Sequence, residues 1–109
     1  PLWLAPCQIV ICTITQDADN YAHEVKTQTE ERGLRVLLDN RNEKIGYKIL
    51  EHSENKIPIL FIVGNKEIES KQVSVRRLGS KEQINLDLIE ALDKYKLQAL
   101  PPDLARDVK

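Results

Sequence analysis

The 109-residue chain contains no methionine, two cysteines, four glycines, one tryptophan and one phenylalanine. The missing methionine is expected of a piece of a longer product or of a processed one. Two cysteines, Cys7 and Cys12, are too few for a disulfide-built scaffold. An odd separation on one strand puts them on opposite faces, so they are not expected to bridge, and a reducing compartment follows. There is no CxxC, and neither His23 nor His52 stands at metal-ligand spacing from a cysteine. No apolar run approaches the roughly 18 residues of a membrane helix. Pro1-Leu2-Trp3-Leu4-Ala5-Pro6 lacks the basic leader and cleavage pattern of a signal peptide. That apolar start is expected to pack on a preceding domain or on the chain's own core.

Nucleotide-binding fingerprints are missing too. No GxGxxG follows the first apolar run, and GxxxxGK[ST] is absent. Gly64-Asn65-Lys66 lacks the upstream glycine and the Ser/Thr of a phosphate loop and reads as a turn.

What is present suits one well-solvated α/β domain: 41% hydrophobic and 30% charged residues, with a net charge of −1. Near-neutrality argues against a strongly basic nucleic-acid binder, but the charges are unevenly placed. Asp17 to Glu31 holds five acids and one lysine, whereas Lys71 to Lys81 holds Lys71, Arg76, Arg77 and Lys81 without an acid.

The pattern alternates between strands and helices. Residues 8–14 form a β-branched run expected of a strand buried on both faces. Thr15-Gln16-Asp17 signals a helix start, Tyr21, Ala22, Val25 and Thr29 recur at helical spacing, and Gly33 supplies the stop. Residues 34–38 predict a second strand, with Asn40 or Asn42 capping a helix over 43–55 that buries Ile45, Ile49 and His52 or Ser53. Pro58 ends that helix, and 59–63 is a third buried strand. Residues 67–71 and 72–77 predict a hairpin, with Val73 and Val75 inward and Ser74 and Arg76 outward. Residues 85–94, carrying Leu86, Leu88, Ile89 and Leu92, predict a last helix. The folded domain is expected over 1–95, with 96–109 as a tail. This order implies right-handed crossovers and a largely parallel core sheet with an antiparallel edge.

No catalytic constellation emerges. Cys7 and Cys12 lie in or beside a buried strand, His23 among acids and amides, and His52 on a packing face. Glu67 and Glu69 lack a companion base. RNA recognition fits better, because unstacked bases are read by polar side chains and stacked on planar ones. Asp39 to Ile49 crowds Arg41, Lys44 and Lys48 with two amides at a strand-to-helix corner, where free N–H groups favour anions. Arg41, Asn42, Lys44, Lys56, Glu67 and Arg76 could converge on a sheet edge.

Trp3-Leu4-Ala5-Pro6, Arg41-Asn42-Glu43-Lys44-Ile45-Gly46-Tyr47-Lys48-Ile49, Pro58-Ile59-Leu60-Phe61-Ile62-Val63-Gly64 and Val73-Ser74-Val75-Arg76-Arg77 together resemble the C-terminal anticodon-binding domain of bacterial-type threonyl-tRNA synthetases. The resemblance covers residues 1–95; histidyl, prolyl and glycyl enzymes share a looser version. It implies a mixed, mostly parallel five-stranded sheet with three helices that reads the anticodon loop of threonine tRNA, whose second and third bases are G and U. It implies that Asn42, Lys56, Glu67 and Arg76 face the RNA. Glu67 would accept from a guanine edge, Arg76 donate to base or phosphate, Asn42 meet a base edge, and Lys44 and Lys56 meet phosphates. Arg41 is either a further contact or an internal strut. The resemblance further implies a cytoplasmic, homodimeric parent whose separate catalytic domain binds ATP, magnesium and zinc, while this piece carries no cofactor. The alternatives are an accessory or regulatory domain with the same fold, or the equivalent domain of a related prolyl, histidyl or glycyl synthetase. Cys7 and Cys12 stand where aliphatic residues are expected, and Asn55-Lys56 is a weaker basic cluster than the family's paired cations.

Overall fold

The computed structural model describes residues 2–80 and 82–100. A 3-10 turn, Leu2–Leu4, precedes strand β1, Ile9–Thr13. A second 3-10 turn, Gln16–Ala18, runs into helix α1, Asp19–Glu31. Strand β2, Val36–Asp39, helix α2, Ile45–Glu54, and strand β3, Ile59–Val63, follow. Helix α3, Asn65–Ser70, leads into strands β4, Gln72–Arg77, and β5, Gln83–Asp87, and helix α4, Leu88–Ala99, comes last.

The five strands form one sheet in the order β2-β1-β3-β4-β5. The first three are parallel, with Val10 facing Leu37 on one side and Leu60 on the other. β4 runs antiparallel to β3, placing Arg76 opposite Leu60, and β5 runs antiparallel to β4, placing Asn85 opposite Ser74. β1 and β3 are buried along their whole length, as their β-branched runs require.

Alternation along the strands divides the core. Ile9, Ile11, Phe61, Val73 and Val75 pack with Tyr21, Val25, Leu92 and Tyr95 of α1 and α4. Val10, Cys12 and Leu60 pack with Ile45 and Ile49 of α2 on the opposite face. α1 buries Tyr21, Ala22, Val25 and Thr29, the expected stripe, and ends at Gly33 with φ +78.

Several expectations are corrected. Residues 67–71 fall in helix α3 and its left-handed exit at Lys71, not in a strand. The hairpin partner of β4 is instead 83–87, part of which carried the expected last helix. One short amphipathic stretch matches both periods, and only the apolar contact of Ile68 with the core selects the helical one. α3 is therefore a fourth helix beside the expected three. α4 starts at Leu88, where Asp87 accepts the Ile89 N–H, and runs on to Ala99, past the expected boundary at 95. Residues 101–109 of the expected tail, and Lys81 of the basic run, lie outside the described residues. Neither Asn40 nor Asn42 caps α2; Lys44 holds that position without a side-chain bond. Asn40 donates to Asp19 instead. Cys7 packs against the same α2-side cluster as Cys12, because it precedes β1, where strand alternation does not apply.

Candidate nucleic-acid interface

α2 covers its face of the sheet over β1 and β3 and leaves the same face of β4 and β5 uncovered. Pairing sets which residues project there. Arg76 is opposite Leu60 of the α2-side core, so Arg76, Ser74 two residues before it, and their partners Gln83 and Asn85 share that side. α3 closes the upper end, and Glu67 reaches the sheet, where Ser74 Oγ stands 3.2 Å from its Oε1. The result is an open cavity of about 450 Å³ lined by Glu67, Ser74, Gln83 and Asn85 of this set, together with Ile14 and Lys66. Glu67 is 8% exposed, yet its carboxylate lines this cavity. Arg76 is half-buried beside Gln83, and no group among the described residues pairs with its guanidinium.

The six residues expected to meet RNA are not all brought together. Glu67 and Arg76 share the uncovered face. Lys56 is exposed with φ +58, just beyond α2, at the end of the sheet where β3 begins and Arg76 sits. Asn42 and Lys44 are exposed but do not line the cavity. They follow β2, which is two places from β3 in the sheet, a lateral offset of roughly 10 Å. Arg41 is held by carboxylates: Nε and Nη2 bind Asp39 Oδ1 and Oδ2 at 2.9 Å, and Nη2 also donates to Glu51. Those bonds push its pKa up further. Lys48, counted among the cations of this corner, is buried; its Nζ donates to Thr13 O, Thr13 Oγ1 and Asp39 O. Its ammonium is a brace between β1, β2 and α2, not a phosphate ligand.

Asp39 organises this corner. It accepts the Arg41 backbone N–H and the Arg41 fork, and its Oδ2 lies 2.7 Å from His52 Nε2. Burial alone would raise its pKa; the bonds from Arg41 and His52 outweigh that and hold it well below the carboxylate range. Sequence spacing did not reveal that Cys12 joins them: ligand atoms of Cys12, Asp39 and His52 lie within 4.8 Å of one another. Both Asp39 oxygens are already engaged, and two cations, Arg41 and Lys48, act on the Cys12 thiol alongside them. Such charge suits an anionic carboxylate better than an added metal cation. Burial, then Asp39, pushes the Cys12 thiol up to about 12, so it is not an activated nucleophile.

Sequence reasoning passed over Ser74 and placed Asn85 on a helix. The alternation Gln83-Ile84-Asn85-Leu86-Asp87 carried the strand signal that would have found the second.

A family model described as an anticodon binding domain matches residues 8–98. The chain is 54% identical over 106 residues, 97% of its length, to the threonine–tRNA ligase of Phenylobacterium zucineum. It spans only 16% of that relative's length. Among solved structures it is similar to the RNA binding domain of threonyl-tRNA synthetase from Cryptosporidium parvum, with TM-score 0.87 and 26% identity over 93% of this chain and 26% of that one. Histidyl-tRNA synthetase from Nostoc shares the fold, with TM-score 0.80 and 21% identity over 88% of this chain and 23% of that one. With its five-stranded mixed sheet and a match over nearly all of its described length, the chain belongs to the anticodon-binding domain family.

Proposed function

We propose that the chain is the anticodon-reading module of a threonine–tRNA ligase and binds the anticodon loop of threonine tRNA. One observation carries the reading: half-buried Arg76, unpaired among the described residues, and a carboxylate lining an open cavity share the uncovered face of β4 and β5. A splayed guanine presents N1–H and N2–H2 donors, which a carboxylate accepts; a guanidinium stacks or binds phosphate. Glu67 reads the guanine and Arg76 meets the neighbouring base or phosphate. Lys56, Lys44 and Asn42 flank the loop, and Arg41 acts chiefly by shaping residues 40–44. Threonine ligation, with its ATP, magnesium and zinc, belongs to the rest of a longer, cytoplasmic, homodimeric enzyme.

The test is binding of the chain to a threonine anticodon stem-loop and to one with the anticodon guanine replaced by adenine. The chain should prefer the first, and Glu67→Gln and Arg76→Ala should each weaken it by roughly 1–3 kcal/mol. Equal binding of both RNAs, with neither variant altered, points instead to an accessory domain that keeps the fold without reading RNA.

A further inference from the structure

The hydroxyl of Ser74 faces two acceptors. Its Oγ lies 3.2 Å from Glu67 Oε1 and 2.6 Å from Asn85 Oδ1. A serine has one proton to give, so it cannot satisfy both. The two orientations of an amide differ only by exchange of N and O. With the Asn85 amide turned, its NH2 donates to Ser74 Oγ and the Ser74 O–H donates to Glu67 Oε1. Each proton shared along Asn85, Ser74 and Glu67 then has one acceptor, and no two lone pairs are pressed together. Ser74 is buried on β4 and Asn85 faces it in register on β5, so sheet pairing itself aligns the relay.

From this geometry we infer that Asn85 and Ser74 are positioning residues that orient the Glu67 carboxylate for a purine presenting paired N–H donors. The inference rests on the proposed reading of guanine by Glu67 and names what gives that reading its selectivity. A glutamate side chain has three rotatable bonds, and α3, which carries it, is only six residues long. Ser74 takes one lone pair of Oε1 and so defines the carboxylate plane. Oε2 and the second lone pair of Oε1 remain for the ligand. Asn85 also borders the cavity, as does Gln83, so the relay forms part of the wall the base would meet.

The experiment measures binding of the chain to the threonine anticodon stem-loop carrying guanine or inosine at the second anticodon position. Inosine keeps N1–H and lacks the N2 amino group. The unmodified chain should favour guanine by about tenfold. Ser74→Ala should bring that ratio to within about twofold, while Ser74→Thr, which keeps the hydroxyl, should retain it. Asn85→Asp should also erase the ratio, since a carboxylate cannot donate to Ser74 and repels Glu67. Circular dichroism and melting confirm that each variant is folded. A folded Ser74→Ala chain with undiminished discrimination overturns the relay, and so does an Asn85→Asp chain that discriminates normally. Glu67→Gln separates the two levels. If it abolishes discrimination while Ser74→Ala does not, only the relay falls. If it leaves discrimination intact, the base-reading role of Glu67 falls and takes the relay with it.

Discussion

His52 Nε2 and Asp39 Oδ2 lie 2.7 Å apart, 6% and 5% exposed, between α2 and the end of β2. His52 Nδ1 has no partner among the described residues. An imidazole that donates from Nε2 leaves only a bare lone pair there, so no buried N–H is stranded. The pair joins the chain's strongest family signature, the Arg41 to Ile49 run, to the sheet.

Asp39 is therefore expected to set acid stability. Its native carboxyl value lies below the unfolded one, so its contribution is complete above about pH 3.9 and is lost as pH falls from there toward the depressed native value. Asp39→Asn should lower unfolding free energy by about 3 kcal/mol at neutral pH, because the negative charge is lost and one of the two oxygens that face Arg41 and His52 becomes an NH2 donor. Melting temperature of the variant should then fall less steeply with acid than that of the unmodified chain. Parallel acid profiles count against the assignment.

The lysines should separate by function. Lys48→Met keeps the aliphatic stem but removes the ammonium that donates to the carbonyls of Thr13 and Asp39, costing about 2 kcal/mol in urea unfolding. It should leave the salt dependence of RNA binding unchanged. Lys44→Ala and Lys56→Ala should each reduce the salt slope by about one and change stability by no more than about 0.5 kcal/mol. A reduced slope for Lys48→Met would show its ammonium reaching phosphate.

Gly64 is required by a close approach, not by its backbone. Its φ of −145 is open to any residue, but a Cβ there would stand 2.9 Å from Ile14 Cδ1 and 3.3 Å from Ile14 Cβ. Both residues line the cavity beside Glu67. Gly64→Ala should cost about 1 kcal/mol and weaken stem-loop binding, as Ile14 is displaced into the cavity. Titration calorimetry showing unaltered affinity would mean that Ile14 moves elsewhere.

Tyr21 ties α1 to β4 through its hydroxyl, which donates to Gln72 O at 2.8 Å. Burial, then Glu24, Asp87 and Glu67, pushes its pKa up to about 12. Stability from this group is complete below about pH 10 and is lost as pH rises toward 12. Tyr21→Phe should cost about 1 kcal/mol and remove that alkaline component from the melting profile.

Much of this architecture was legible locally. Residues 9–13 and 59–63 are β-branched or apolar at every position, which leaves little but a doubly buried strand. The α1 stripe ends at a glycine in the left-handed region, and Val73 and Val75 alternate with Ser74 and Arg76. Periods of this kind are written in neighbouring residues, and so is the run from Arg41 to Ile49 that carries the resemblance.

Tertiary structure alone decided the rest. Residues 65–70 and 83–87 are too short for periodicity to choose between helix and strand; contact of Ile68 with the core and pairing with β4 made the choice. Arg41 and Lys48 look like free cations in the chain, yet one is forked by Asp39 and the other enclosed by oxygens brought from β1 and β2. Glu67, Ser74 and Asn85 become a single arrangement only because β5 pairs with β4 in one particular register. Sequence carries each group's chemistry, but which groups neutralise one another depends on distance, and distance between remote residues is a property of the packed fold.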